Sequence, residues 1–220
     1  MTLFISNKNE TVRLFKNPVI EYFTHMHPIQ PLILFSPVVI FFAFRAFATL
    51  PFTEVILSYL AGILFWIFME YGLHRFFFHH KAKSAYGKRM VFMLHGCHHD
   101  YPKDKTRLVM SPLVSIPLAL FFFYFFRFLF GPWQPALFSG LVSGYLAYDY
   151  IHYATHHFSM KGKILGRLKA NHLRHHFQDP DHLFGLSNPL GDYLFGTYSK
   201  PAAIPPQEGG EIKVSTSEYA

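Results

Sequence analysis

Residues 95–99 read HGCHH and residues 172–176 read HLRHH, and these two short stretches decide the fold. Each is preceded by a histidine pair: HRFFFH carries His74 and His79, and HYATH carries His152 and His156. His79 to His95 and His156 to His172 are both 16 residues apart. A shift of 77 residues carries His79, His95, His98 and His99 onto His156, His172, His175 and His176. A chain that repeats this spacing builds one polynuclear metal centre from two similar halves.

Helical geometry supports that reading. Residues three or four apart share a helix face, so His95, His98 and His99 project together, as do His172, His175 and His176. Adjacent residues diverge by about 100° on a helix, so His98 and His99 can feed different ions. His152 and His156 form an i, i+4 pair. His74 and His79 are five apart, which suits two different metals or a distorted turn. A single histidine in this setting would usually be a hydrogen-bonded interfacial residue, but the repeated set is not explained that way. His80 and His157 also match the 77-residue offset, yet they are surplus to two coordination shells. His182 belongs to the surrounding surface or the substrate entrance. Ten neutral imidazoles over two ions give about five each. Zinc normally takes four ligands, whereas a higher count with an open position suits redox iron. Glu70, four before His74, and Asp149, three before His152, are placed to accept a hydrogen bond from the outer nitrogen of a ligand. Interfacial charge at helix ends would place them equally well. Cys97 is expected to be a small buried residue turned away from the metals.

Outside the clusters the composition is that of a membrane protein. Of 220 residues, 51% are hydrophobic, 27 are Phe and only 15% are charged, against about 25% charged in an ordinary soluble domain. Apolar stretches cover roughly residues 31–50, 55–71, 109–130 and 135–151, and a helix needs about 20 residues to cross a bilayer core. Arg45 and Arg127 lie near span ends, where they can snorkel. The connectors PFTE and GPWQP are short and lack Lys and Arg, as the tips of two helical hairpins would. Residues 71–107 carry eight basic side chains and residues 152–200 carry six, which the positive-inside rule puts on the cytosolic side. The expected fold is therefore an all-α integral membrane protein. Four transmembrane helices form two hairpins, and a cytosolic helical cap holds a dinuclear histidine metal site. Residues 1–30 read as a cytosolic or interfacial lead-in, with His25 and His27 as surface or interfacial histidines outside the repeat. Residues 31–200 form the catalytic domain, and residues 201–220 a flexible tail. Both termini are expected in the cytosol, with no signal peptide. The net charge of +7 fits membrane topology and anionic lipid. No basic stripe with interleaved aromatics points to nucleic acid.

The stretches HRFFFH, MLHGCHHDYPKDKTRLVMSP, GYLAYDYIHYATHH, LKANHLRHHF and FGLSNPLGDYLFGT together resemble the fatty acid hydroxylase superfamily, and within it the fatty acid 2-hydroxylases. The histidine count alone also admits sterol desaturases and methyl oxidases. The four-residue gap in HRFFFH and the HHDYP…RLV block favour the 2-hydroxylases. The resemblance implies oxygen-dependent hydroxylation of a lipid acyl chain next to its carbonyl, in a fatty acid or a sphingolipid. It also implies a pair of iron ions, for which zinc could substitute. By motif position the ligands would be His74, His79, His95, His98, His99, His152, His156, His172, His175 and His176. Many eukaryotic members carry an amino-terminal cytochrome b5 domain. Here His27-Pro28 lacks the glycines of a haem-binding loop, so a separate electron donor such as cytochrome b5 or ferredoxin is expected. The membrane would be the endoplasmic reticulum in a eukaryote and the cytoplasmic membrane in a bacterium. Arg107, Tyr150 and Tyr153 are polar candidates for the substrate region. The run FFFYFFRF could line a substrate slot or face lipid. Two other classes fit less well. A metal carrier would place clustered histidines within the spans, and a zinc hydrolase would call for an acid or base beside an open site, such as HExxH supplies.

Overall fold

The computed structural model describes residues 5, 6 and 8–200; the expected flexible tail lies outside them. All regular structure among the described residues is helical. A short α1 (Pro18–Tyr22) precedes α2 (Gln30–Phe47) and α3 (Phe52–Gly72), which continues as a π-helical turn, Leu73–Phe78. Next come α4 (Ala85–Val91), a second π turn (Phe92–Gly96) and α5 (Cys97–Asp100). The chain then runs through α6 (Pro112–Phe130), a 3-10 turn (Gly131–Trp133), α7 (Gln134–His157), α8 (Leu165–Phe177) and α9 (Leu190–Leu194).

Three helical runs are long and apolar enough to cross a membrane: Gln30–Phe47, Phe52–Phe78 and Pro112–His157. The third folds back on itself at Gly131, whose φ of +50° suits a residue without a Cβ. Met110 N donates to the Asp149 carboxylate, and the Phe123 and Phe138 rings meet at 5.5 Å further along, so α6 and α7 run antiparallel. Pro112 occupies the first turn of α6, where its missing N–H costs nothing, and this starts the helix three residues after the apolar stretch begins. At the far end Trp133 Nε1 donates to Glu54 Oε2 (2.8 Å), tying the starts of α3 and α7 together.

The two helices then run side by side in the same direction. A Cβ on Gly62 would lie 2.1 Å from Leu137 O, one on Gly140 2.0 Å from Tyr59 O, and one on Gly144 2.7 Å from Trp66 Cβ. Lipid tails are as apolar as leucine, so helices within a bilayer gain from close packing rather than from escaping water, and small residues permit it. Around this crossing Phe35, Trp66, Phe122, Phe126, Phe138, Leu141 and Tyr145 form the core. The run at 121–128 divides by face: Phe122 and Phe126 point inward, while Phe121, Tyr124 and Phe128 are exposed, as a lipid-facing surface requires. Because α3 and α7 are parallel, their histidine-bearing ends emerge together.

The lead-in is not a loose surface segment. Met26 N donates to Thr106 O (2.7 Å), Arg89 Nη2 to Leu14 O (2.9 Å) and Tyr150 OH to Pro28 O. Glu21 accepts from the amides of Leu14 (3.0 Å) and Phe15 (2.8 Å). The segment lies as a strap across the region between α4 and α6, with Leu14 and Met26 buried. His25, expected as a surface or interfacial residue, is partly exposed and contacts Thr106, Glu21 and Arg107.

Candidate metal centre

The ten repeat histidines gather in two groups of five. One group is His74, His79, His95, His99 and His175; the other is His98, His152, His156, His172 and His176. Within each, the potential ligand atoms lie within 4.8 Å of one another, so each group could hold a metal ion. His80, His157 and His182 belong to neither. The groups share a wall, because the His99 and His176 rings stack at 4.1 Å.

The two halves exchange one residue. In each H-x-x-H-H motif the outer histidines stay with their own half and the middle one crosses over. His98 joins the second group and His175 the first. Adjacent residues on α5 and α8 therefore face different groups, as a 100° separation demands. The odd spacing of the first pair has a local cause. His79 N donates to His74 O (3.1 Å), an i→i+5 bond, so the π turn returns residue 79 to the face of residue 74. An ordinary helix does the same for His152 and His156 with four residues. The distorted-turn alternative is thus the one found, and both histidines serve one group.

The donor chemistry fits metal ions. His74 Nδ1 donates to Phe184 O (2.7 Å) and His175 Nδ1 to His182 O (2.6 Å), which leaves both Nε2 atoms as bare lone pairs. Those atoms nevertheless sit 3.1 Å from His95 Nε2 and 3.0 Å from His79 Nε2. In the second group His98 and His152, and His156 and His172, bring their Nε2 atoms to 2.8 Å. Two nitrogens at about 2.1 Å from one ion and at right angles would be about 3.0 Å apart. Both ring nitrogens of His176 are buried without a hydrogen-bond partner among the described residues. Burial, reinforced by neighbouring imidazoles, holds His95, His98, His99, His172 and His176 well below the ordinary imidazole value. Burial pushes His79 down to about 3 and His175 to about 4. Neutral imidazole is the form that binds metal.

The acids are placed differently from expectation. Glu70 accepts from Ser187 N (2.7 Å) and from Ser187 Oγ, and Asp149 from Met110 N. They anchor loops, while backbone carbonyls take the outer nitrogens of His74 and His175. Those carbonyls belong to a segment at 182–184 pinned by Asp192, which accepts from Phe184 N and Gly185 N (2.8 Å each) and from Thr197 Oγ1 (2.8 Å). The sequence marks this segment through the stretch FGLSNPLGDYLFGT, but nothing in it signals that its backbone carbonyls orient the histidines. Cys97 lies outside both groups, with burial raising its thiol to about 11.

A cavity of about 230 Å³ opens beside the centre, lined by His95, His98 and His152 together with Phe78, Met93, Val109 and Leu113. Leu14 and Phe15 of the strap close one side. Arg107 is in its wall. Tyr150 and Tyr153 are not among its lining residues: Tyr150 bonds the strap, and the Tyr153 ring packs on His157 at 4.5 Å.

Residues 59–197 match the family model described as fatty acid hydroxylase. The chain belongs to the fatty acid hydroxylase family. A dihydroceramide fatty acyl 2-hydroxylase of Arabidopsis thaliana is 38% identical over 169 residues, covering 75% of this chain and 70% of the plant protein. The fatty acid 2-hydroxylase of Mus musculus is 34% identical over 217 residues, 88% of this chain and 58% of the mouse protein. The chain thus spans less than two thirds of the mouse protein's length. A solved structure described as full-length scs7p, with only the hydroxylase domain visible, superposes with a TM-score of 0.80 at 33% identity, over 86% of this chain and 72% of that one.

Proposed function

We propose that the chain is a membrane hydroxylase that places a hydroxyl on the 2-carbon of a lipid acyl chain, in a fatty acid or an amide-linked sphingolipid. One observation carries the reading: two groups of five neutral histidines open onto an apolar cavity through His95, His98 and His152. The 2-hydroxylase relatives supply the acyl substrate class.

The ten histidines would hold two iron ions, which supply activation of dioxygen with electrons from a separate donor. The residues do the remaining work. The carbonyls of Phe184 and His182 fix the rings of His74 and His175 so that their Nε2 atoms point inward. Phe78, Met93, Val109 and Leu113 offer the acyl chain an apolar wall and keep water from the reacting carbon. The cavity lies where α6 and α7 meet the cap, so a tail can reach it from the membrane. In this reading α2, α3, α6 and α7 are four spans in two hairpins. The tips at Glu54 and Trp133 lie on one side, and the histidine cap, with both termini, lies on the cytosolic side.

The test is direct. Purified protein should carry two metal ions per chain. With oxygen, a reductant system and an N-acyl lipid it should yield a 2-hydroxyacyl product, located by mass spectrometry. Oxidation of a sterol and never of an acyl carbon would reject the assignment.

A further inference from the structure

Leu183 stands between the two residues whose carbonyls take the outer nitrogens of His175 and His74, and its φ is +61°. Among the described residues it alone combines a side chain with a positive φ, and it is buried. Residues with a side chain rarely adopt this left-handed conformation, and a fold keeps one only where the surroundings over-determine it. The restraints can be followed bond by bond. Leu183 N donates to Thr197 O (3.0 Å). Thr197 Oγ1 donates to Asp192 Oδ1 (2.8 Å), since an ionised carboxylate only accepts. With its one proton spent there, Thr197 Oγ1 accepts from Tyr71 OH (2.9 Å). Tyr71 OH in turn accepts from Arg75 Nη1 (2.7 Å). The donors all point one way, from a guanidinium to a carboxylate.

We propose that Tyr71 and Thr197 are positioning residues for the first metal ion, acting through the backbone on both sides of Leu183. This rests on the reading of the histidine groups as metal sites. Tyr71 belongs to α3, whose π-helical continuation carries His74. The helix that delivers His74 therefore also fixes, through Tyr71 and Thr197, the carbonyls that set the rings of His74 and His175. The Tyr71 ring has no room to drift. It is buried and stacks on Phe195 at 5.1 Å, and a Cβ on Gly191 would lie 2.5 Å from it. The second group lacks a matching restraint. His172 Nδ1 and both ring nitrogens of His176 are buried without a hydrogen-bond partner among the described residues. Loss of the Tyr71–Thr197 link should therefore reach one ion and spare the other.

The experiment titrates the full chain, stripped of metal, with cobalt(II) alone. Each Kd is read from the visible spectrum against a competing chelator, and His79→Ala and His156→Ala assign one Kd to each group. The unaltered protein should bind two ions. Thr197→Val should weaken the first group's ion by about 10- to 100-fold, the usual loss when the partner network of a ligand histidine is broken. The second group's Kd should stay unchanged. Thr197→Ser keeps the hydroxyl and should keep both affinities. A merely structural role would lower the thermal midpoint and loosen both ions alike. Thr197→Val that holds both ions as the unaltered chain does, or weakens both equally, overturns the proposal. Where that variant does not fold, Tyr71→Phe, which keeps the ring and removes only its hydroxyl, decides by the same comparison. An unaltered chain that binds no cobalt defeats the metal reading itself, and this inference with it.

Discussion

At the scale of single residues, the exchange of His98 and His175 makes an unusual claim about mutants. His98→Ala should weaken metal retention in the group of His152, His156, His172 and His176, although His98 belongs to the other motif. His175→Ala should do the reverse. Metal analysis combined with spectroscopy of each variant will show which ion is lost, and activity should vanish in both. Retention of two metals and full activity would refute the ligand assignment. Asp192→Ala is the second prediction. It strands the Phe184 and Gly185 amides in a buried site. One stranded buried group costs about 1–3 kcal/mol, so the melting temperature should drop. The first group should lose metal before the second, because the carbonyl that orients His74 shifts. The histidines of the two groups were legible because i, i+3, i+4 spacing and a 77-residue repeat survive in one dimension. The carbonyls that orient them were not, since any residue can supply a carbonyl. The expectation that Glu70 and Asp149 would fill this role follows sequence proximity, and the loops at Ser187 and Met110 reach them first.

At the scale of elements, the π turn Leu73–Phe78 is a one-residue insertion relative to the helix that holds His152 and His156. Deleting the exposed Phe77 should convert it to an ordinary helical turn with His74 and the shifted His79 four apart, still on one face. Such a variant should keep two metals per chain; loss of the first ion would show that the π geometry itself is required. The crossing of α3 and α7 makes a sharper demand. Gly140→Leu would drive a side chain into Tyr59 O and Gly62 Cα, with no flexible neighbour to yield. Overpacking typically costs about 1–3 kcal/mol, and here it separates the two helices that carry His74, His152 and His156. The thermal midpoint and metal content should fall together. Helix positions were readable from apolar length, with ends off by a few residues where a proline or a π turn sets the boundary. The parallel packing of α3 on α7 was not readable, because its glycines act through partners 75 to 81 residues away.

At the scale of the whole molecule, the buried imidazoles couple stability to acidity. His79 and His175 have an ordinary value of 6.5 and lie near 3 and 4 in the fold. Above pH 6.5 folded and unfolded chains are both neutral at these sites. Below it the unfolded chain takes up protons that the folded one refuses, so stability falls as pH drops toward 4 and levels off near 3. The thermal midpoint of metal-free protein in detergent should therefore be flat above about pH 7 and decline on acidification; a flat profile down to pH 4 would contradict the burial of these rings. The exchange between halves also sets an order of events in biosynthesis. A nascent chain that has emerged only as far as residue 170 possesses four members of the first group and lacks the fifth, His175. Neither group can close until α8 has been made and docked. If the two groups hold metal as proposed, loading would follow synthesis of α8, and a chain cut short before it would lack a complete group in either half.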